Sequence, residues 1–397
     1  MKKRILFITH LYYPSVGGAE RVFQRMAEGL ASLGHSVTML TSDAMSTEQY
    51  FKAAANALSQ NEVLNGVHIH RDLLSSKIYK IFRFPDRLFI RMGRLAAPFR
   101  SLFFGPHFWE EFRTILRHKF DVVIAGPTPT STIFYGLLYK KKNPESRFII
   151  FPCMHIEDRL HTSRLNLWAI KKADAVMALT DAEKEYLQAR GVKEEKIKRV
   201  VSGVDELLLQ AERAEAQELK DYILYLGQEG EHKRIPMLIE AMKNLWRSGY
   251  ENRLVIAGAR ANFSCELDRL IDSLPQSARS KIFRFNNISE EQKVRLLDNC
   301  LMMVNPSAYE SFGIVFLEAW ARGKPVIGAN IQALKEIIRD GQNGFLFDDR
   351  KDGDLGKKIL NLLDDKELAL KMGQTGQLET KEKFVWEKVV KKIESFF

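Results

Sequence analysis

The chain has 397 residues, 28% of them charged and 45% hydrophobic, with three cysteines and a formal net charge of +10. That length exceeds one ordinary hydrophobic core and suits two domains of about 150 to 200 residues each, and the composition is that of a soluble globular protein rather than a disordered or fibrous one. The excess of positive charge favours an anionic partner, whether nucleotide, phospholipid surface or nucleic acid, without choosing among them.

Lys2, Lys3 and Arg4 precede an apolar run that stops at Ile8, before Thr9 and His10. The run is too short for a leader peptide and reads as a first β-strand, Lys3 to Thr9. Two adjacent glycines follow, Gly17 and Gly18, where a backbone can turn tightly and approach a ligand. Val22, Met26, Leu30 and Leu33 then keep helical spacing up to Gly34, and Ser36 to Thr41 is the second strand. Lys77 to Lys119 is basic. After Pro85, Arg87, Arg91 and Arg94 recur at i, i+4 and i+7, with Leu88, Met92 and Leu95 one position on. Such a helix either lies on an anionic bilayer surface or packs its apolar stripe on its own domain. Further strands are read at Asp121 to Ala125 and Phe148 to Pro152, and His155 follows the second of these, where parallel sheets bind ligands. His161 is its near rival. Lys172 to Leu179 reads as a strand closing the domain, and Thr180 with Glu183 as a capping box. Cys153, Cys265 and Cys300 have neither metal-ligand spacing nor an even-numbered framework, and read as the reduced thiols of a cytosolic protein.

Leu207 to Lys220 is polar and rich in Glu and Ala, as a linker would be. A second alternation of strands and helices follows. Its strands are Tyr222 to Leu226, Leu254 to Gly258 and Ile282 to Phe285; its helices are one carrying Met237, Ile239 and Met242 and one from Ser289 to Leu297. Leu301 to Asn305 is the next strand, and Pro306 and Ser307 open a loop that carries Glu310. A helix is expected from Ser311 to Gly313 onward, with Ser311 as N-cap, Ile314, Leu317 and Ala321 on one face, and Gly323 and Pro325 as stop. Val326 to Ala329 is the following strand. Glu318 then lies about 7 to 8 Å along the helix from Gly313, with the positive end of the helix dipole between it and Glu310. A nucleotide sugar fits such a pair, with sugar by Glu310, diphosphate at the helix start and ribose on Glu318. The alternative is a solvated loop glutamate beside an ordinary helix glutamate.

The string Pro306-Ser307, Glu310-Ser311-Phe312-Gly313, Leu317-Glu318-Ala319, Gly323-Lys324-Pro325-Val326, Asp340-Gly341 and Gly344 resembles the signature of retaining glycosyltransferase family 4, the group 1 glycosyltransferases of GT-B fold. Glu310 and Glu318 match its E-x7-E motif. The resemblance implies an α/β protein of two Rossmann-like doubly wound domains facing across a cleft. They would be an N-terminal acceptor-side domain, 1–205, and a C-terminal nucleotide-sugar domain, 206–379, with a last helix at 380–397 packing back on the first. It extends to Pro14, Gly17, Gly18 and Glu20, to Leu33-Gly34-His35, and to Val200 to Asp205, where Ser202 replaces the usual asparagine. It implies that Glu310, His155 and Lys233 are catalytic. Glu318, Phe312, Gly313, Ile314, Gly17, Gly18, Gln228 and Arg234 would bind the donor, and Arg87, Arg91 and Arg94 would face membrane or acceptor.

Two departures stand out. Members of the family carry an arginine after the glycine at 227, where this chain has Gln228, so a charge-assisted contact of about 1 to 3 kcal/mol is missing. Arg234 substitutes for it, or the helix at Gly313 carries more of the diphosphate, or transfer activity is lost. Ala329 to Leu334 replaces small glycines of the family with bulkier residues, while Glu336 still matches.

The expected activity is retaining transfer of a sugar from a nucleotide-diphosphate sugar to a glycan or lipid-linked acceptor in cell-surface polysaccharide, lipopolysaccharide or glycolipid synthesis. No metal site and no cofactor are expected, the nucleotide sugar being a substrate. The expected location is the cytoplasm, peripheral on the inner face of an anionic membrane. Nucleic acid is not an expected partner, because no nucleic-acid module is recognisable. A nucleotide-sugar epimerase and a non-catalytic membrane-surface protein are the alternatives.

Overall fold

A computed structural model describes residues 1–15, 17–47, 49–52, 58–74, 101–213 and 219–397. The chain divides into two compact units, residues 1–201 with 386–397 and residues 202–385. The divisions expected at 205/206 and 379/380 therefore fall at 201/202 and 385/386. Backbone pairing accounts for the shift. Val204 bridges to Val385 and donates its N–H to the Phe384 carbonyl at 2.8 Å, which ties both flanks to the C-terminal unit.

The strands of the N-terminal unit are β1 (Arg4–Ile8), β2 (Ser36–Ser42), β3 (Asn61–Leu64), β4 (Val67–Asp72), β5 (Val122–Ala125), β6 (Arg147–Ile150), β7 (Ala175–Ala178) and β8 (Ile197–Arg199). Among the described residues they form one sheet in the order β3-β4-β2-β1-β5-β6-β7-β8, parallel except for β3. Ile5 to Ile8, Val123 to Ala125 and Phe148 to Ile150 are wholly buried, as the continuous apolar runs of parallel strands covered on both faces must be. The β3–β4 hairpin turns at Asn65 and Gly66, both left-handed (φ 48° and 80°), the arrangement that matches strand twist in a two-residue turn.

The strands of the C-terminal unit are β9 (Tyr222–Leu226), β10 (Leu254–Gly258), β11 (Ile282–Asn286), β12 (Cys300–Asn305), β13 (Val326–Ala329) and β14 (Gly344–Phe347). Their order is β11-β10-β9-β12-β13-β14, all parallel. This is the doubly wound order, and in it the chain reverses its direction of travel between β9 and β12; in the first sheet the reversal lies between β1 and β5. Crevices at the carboxyl ends of the strands flanking such a reversal are where α/β sheets bind ligands.

Helix α1 (Gly18–Ser32) buries Val22, Met26 and Leu30 against the first sheet, while Leu33, expected on the same face, is exposed just past its end. In the second unit, α2 (Ile235–Arg247) buries Ile235, Leu238, Ile239, Met242 and Leu245 at helical spacing. It is followed by α3 (Glu290–Asn299) and α4 (Ile314–Ala321). The last helix, α5 (Trp386–Glu394), packs in the N-terminal unit against α1. His35 locks this contact: its Nδ1 accepts the Lys3 N–H at 3.0 Å, which leaves the proton on Nε2 to be donated to Glu394 at 3.0 Å.

Two expected segments differ. Lys172 closes a helix, Arg164–Lys172, and the strand there is only Ala175–Ala178; Lys171 and Lys172 suit the negative end of that helix better than a buried strand. The stretch expected as a linker from Leu207 begins inside a short helix, Glu206–Gln210, with Leu208 buried. The guanidinium of Arg322 donates to the carbonyls of Leu208, Ala211 and Glu212 and to the carboxylate of Asp298, so this stretch is anchored to the second unit.

A Cβ on Gly29 of α1 would lie 2.5 Å from Cγ2 of Val390 on α5. Gly29→Val should therefore lower unfolding free energy by about 1 to 3 kcal/mol through overpacking. Urea denaturation checks this, together with faster proteolytic loss of the C-terminal helix.

Candidate functional site

β9 and β12 are neighbours with Met303 opposite Leu224, so their carboxyl ends finish side by side. The buried side chain of Asn305 joins them: its Nδ2 donates to the Leu226 carbonyl at 3.2 Å, and its Oδ1 accepts from Ser307 at 2.5 Å. The loops beyond are clamped at three successive points. The Ala308 N–H donates to the His232 carbonyl at 2.8 Å, and the His232 ring stacks on Tyr309 with centroids 4.7 Å apart. Lys233 Nζ meets Glu310 Oε1 at 2.5 Å, both side chains largely buried. Two of the expected catalytic residues, 77 positions apart in the chain, are thus in direct contact.

The backbone here is demanding. Lys233 ends a 3-10 turn, Glu231–Lys233, and Arg234 caps α2 in the left-handed region (φ 52°), an uncommon conformation for a residue with a side chain. Arg234 is paired with Asp349, on the chain beyond β14. Gln228 is exposed, and its carbonyl accepts the Tyr225 hydroxyl at 2.7 Å. Next to it Glu229 is buried and held by the fork of Arg284, Nε at 2.9 Å and a terminal nitrogen at 2.7 Å. Arg284 also pairs with Asp268. The cations around the Gln228 loop are therefore already engaged: Lys233 with Glu310, Arg234 with Asp349, and Arg284 with Glu229.

Helix α4 has Gly313, which is left-handed (φ 91°), as its N-cap and not Ser311; among the described residues no side chain caps it. The correction has a steric reason as well as a conformational one. A Cβ on Gly313 would lie 2.8 Å from Leu334 and 2.9 Å from Phe316, so this corner admits only glycine. Leu334, which follows the departing residues Asn330 to Ala333, is wholly buried and fills the space beside Gly313; nothing in the structure explains the four replacements themselves. Phe312, expected at the donor, is 2% exposed and lies edge-on to Phe384, so its side chain serves the core and only its backbone can face a ligand. Ile314 is half-buried in the first turn. The Asp340-Gly341 and Gly344 part of the motif is structural. Its turn places Asn343 to bond the Arg339 N–H, the Ile337 carbonyl and, through its own carbonyl, the indole of the wholly buried Trp320.

Glu318 lies one turn into α4 with its side chain 8% exposed, and its Oε1 is 2.7 Å from Lys293 Nζ on α3. Burial raises its pKa above the usual carboxylate range, opposed by the charge and hydrogen bond of Lys293. Lys293 was not singled out from the sequence. No local motif marks it, since the contact joins two helices 25 positions apart.

In the N-terminal unit, beyond β1, Gly17 is the N-cap and Gly18 the first residue of α1. Gly17 is extended (φ −172°) and neither glycine is left-handed, so the reason for glycine here is not a tight turn. A Cβ on Gly18 would meet nothing within 4 Å, so the space beside it is open and nothing in the structure requires glycine there. Behind them Glu20 is 3.3 Å from His10; burial pushes its pKa up, but the His10 hydrogen bond and charge outweigh this, and the net shift is downward.

His155 and His161 are in contact, their rings edge to face at 4.9 Å. Nδ1 of His161 accepts the His155 N–H at 3.4 Å and lies 3.2 Å from the Thr128 hydroxyl, which places its proton on Nε2. Burial, reinforced by His155, lowers the pKa of His161 to about 3. Glu183 supports the same loop. Thr180 caps its helix by accepting the Glu183 N–H, but the Glu183 carboxylate does not complete the expected box; it accepts the N–H groups of Leu179 and Met154 at 2.7 and 3.1 Å. Arg87, Arg91 and Arg94 lie outside the described residues. Among those described, no helix is long and apolar enough to cross a membrane, and no cluster of His, Cys, Asp or Glu has metal-site geometry.

Two family models match the chain, "Glycosyl transferase 4-like domain" over residues 17–203 and "Glycosyl transferases group 1" over residues 209–379. An uncharacterized glycosyltransferase of Methanocaldococcus jannaschii is 32% identical over 168 residues, 42% of this chain and 45% of that protein, so the alignment spans less than half of this relative. Glycogen synthase of Mycobacterium tuberculosis is 24% identical over 97% of this chain and 92% of its own length. Among solved structures, Anabaena HepE in complex with UDP-glucose superposes with a TM-score of 0.72 at 16% identity, covering 100% of this chain and 99% of that one.

Two outcomes test this geometry. Gly313→Ala should cost about 1 to 3 kcal/mol of stability, from a left-handed backbone and a blocked Cβ together, as measured by urea denaturation. The folded pKa of His161 lies below its unfolded value, so its contribution to stability is complete above about pH 6.5 and falls as pH is lowered. Wild type should therefore lose about 2 kcal/mol more stability than His161→Asn between about pH 7 and pH 5.

Proposed function

The chain belongs to the group 1 glycosyltransferases and has their GT-B fold of two Rossmann-like units; from that premise we propose that it transfers a sugar, with retention at the anomeric carbon, from a nucleoside-diphosphate sugar to a glycan or lipid-linked acceptor. The observation that carries this reading is the meeting of Lys233, Glu310 and the glycine-started helix of Glu318 at the reversal point of the second sheet. HepE, of like fold, is solved with UDP-glucose, which supports a nucleotide sugar as donor.

In this reading Lys233 and the first-turn N–H groups of α4 take up the charge of the departing diphosphate. A leaving diphosphate and an oxocarbenium-like sugar need preorganised charge more than a strong base. Glu310 exchanges part of its contact with Lys233 for hydroxyls of the sugar. Glu318, oriented by its ion pair with Lys293, accepts the ribose hydroxyls. With glutamine at 228, the diphosphate leans on Lys233 and the helix start, and Arg234 joins them only by leaving Asp349. The roles of His155 toward the sugar and of Gly17 and Gly18 toward the donor are carried by the family resemblance and form part of the same proposal. A cytoplasmic enzyme, peripheral on an anionic membrane face, suits a lipid-linked acceptor and the net charge of +10.

A thermal-shift panel of nucleoside diphosphates and nucleotide sugars should give stabilisation by one base over the others. Glu318→Ala should weaken that ligand by about tenfold or more, and Glu310→Ala should cut transfer about a hundredfold while leaving nucleotide binding within about threefold. Wild-type transfer in Glu310→Ala would remove Glu310 from the chemistry. A sugar isomerised without an acceptor would favour an epimerase instead.

A further inference from the structure

Lys293 does not belong to the matched motif and lies on a different helix from Glu318, yet its ammonium sits 2.7 Å from Glu318 Oε1 with both side chains largely buried. It also bonds Glu290 on its own helix, at 3.1 Å. The groups facing Glu318 are Lys293 and Glu290 from α3 and Asp205 from the segment before the short helix Glu206–Gln210. Lys293 thus bonds two carboxylates, Glu318 and Glu290, while Asp205 adds a further negative charge acting on Glu318. Its chain position is fixed independently of any ligand, because α3 starts with a complete capping box, Ser289 with Gln292, and packs on β9 and β12.

We propose that Lys293 is a positioning residue for ligand recognition: it fixes the orientation of the Glu318 carboxylate and keeps it an acceptor for the vicinal hydroxyls of a ribose. A carboxylate that accepts from Lys293 at Oε1 retains lone pairs on both oxygens, whereas the same group protonated must spend one oxygen as a donor. Without Lys293, burial and the repulsion of Glu290 and Asp205 all favour the protonated form. The ligand class is therefore a ribonucleotide with both 2′ and 3′ hydroxyls free, and a deoxyribonucleotide is discriminated against through the Lys293–Glu318 pair. The inference rests on the assignment of Glu318 to the ribose.

The test measures affinity for UDP, ADP or GDP, whichever wild type binds most tightly, and for its 2′-deoxy counterpart, across about pH 6 to 9, in wild type, Lys293→Met, Lys293→Arg and Glu318→Ala. Wild type should prefer the ribonucleotide at every pH. Lys293→Met should bind it about tenfold more weakly near neutral pH and recover as pH rises and Glu318 ionises, with little change toward the deoxynucleotide. Lys293→Arg should restore affinity and flatten the pH profile. A merely structural role would weaken both nucleotides equally at all pH values, and that result overturns the proposal, as does unchanged binding in Lys293→Met. If Lys293→Met fails to fold, as circular dichroism would show, Lys293→Arg decides: loss of the ribose preference in that folded variant also overturns it. If Glu318→Ala keeps the ribose preference, or no nucleoside diphosphate binds wild type, the ribose assignment itself fails first.

Discussion

The contact between Lys233 and Glu310 is the constraint on which the rest of the second unit turns. Two loops leave adjacent parallel strands, and without a cross-link each would be free to follow its own chain. They are joined instead at Asn305, at the His232 carbonyl, at the His232–Tyr309 stack and at the ion pair, in that order outward from the sheet. A buried pair of this kind repays its own desolvation only in good geometry, and removing one partner strands the other charge at a cost of about 3 to 5 kcal/mol. A ligand that offered Lys233 an anion and Glu310 a hydroxyl would replace the pair without stranding either group.

The surrounding charges are paired among themselves. Glu229, beside Gln228, is neutralised by the two-point grip of Arg284, and Arg234 by Asp349, so the first does not compete for Lys233 nor the second for Glu310. Farther along α4, Lys293 performs for Glu318 what Lys233 performs for Glu310. Each glutamate of the motif is therefore matched by one lysine from a different element. Gly313 sets the angle between them, because only a left-handed residue without a Cβ can pass between Leu334 and Phe316 to start the helix.

Much of this was legible from residues alone, and the failures have physical causes. Tyr222–Leu226 and Val326–Ala329 were read with their observed bounds because buried parallel strands are unbroken apolar runs ended by glycine or proline. The Ser289 capping box was legible because its partners are three residues apart. The Asn65-Gly66 hairpin went unread although its dipeptide is a strong local signal; the polar residues of Asn61–Leu64, an edge strand, hide the alternation that would have flagged it. Ser311 looked like an N-cap by residue type, but a left-handed glycine can start a helix without one. Lys293, Arg284 and His232 were invisible for a different reason. Their roles are contacts between elements distant in the chain, and residue spacing carries no information about those.

The central claim is that the Lys233–Glu310 corner is a diphosphate site. It is tested most directly by calorimetric titration of wild type and Lys233→Ala with a nucleoside diphosphate and with the parent nucleoside. The account predicts that wild type prefers the diphosphate and that Lys233→Ala lowers this preference by about tenfold or more, with nucleoside affinity nearly unchanged. A preference for the diphosphate equal in the two proteins would contradict it.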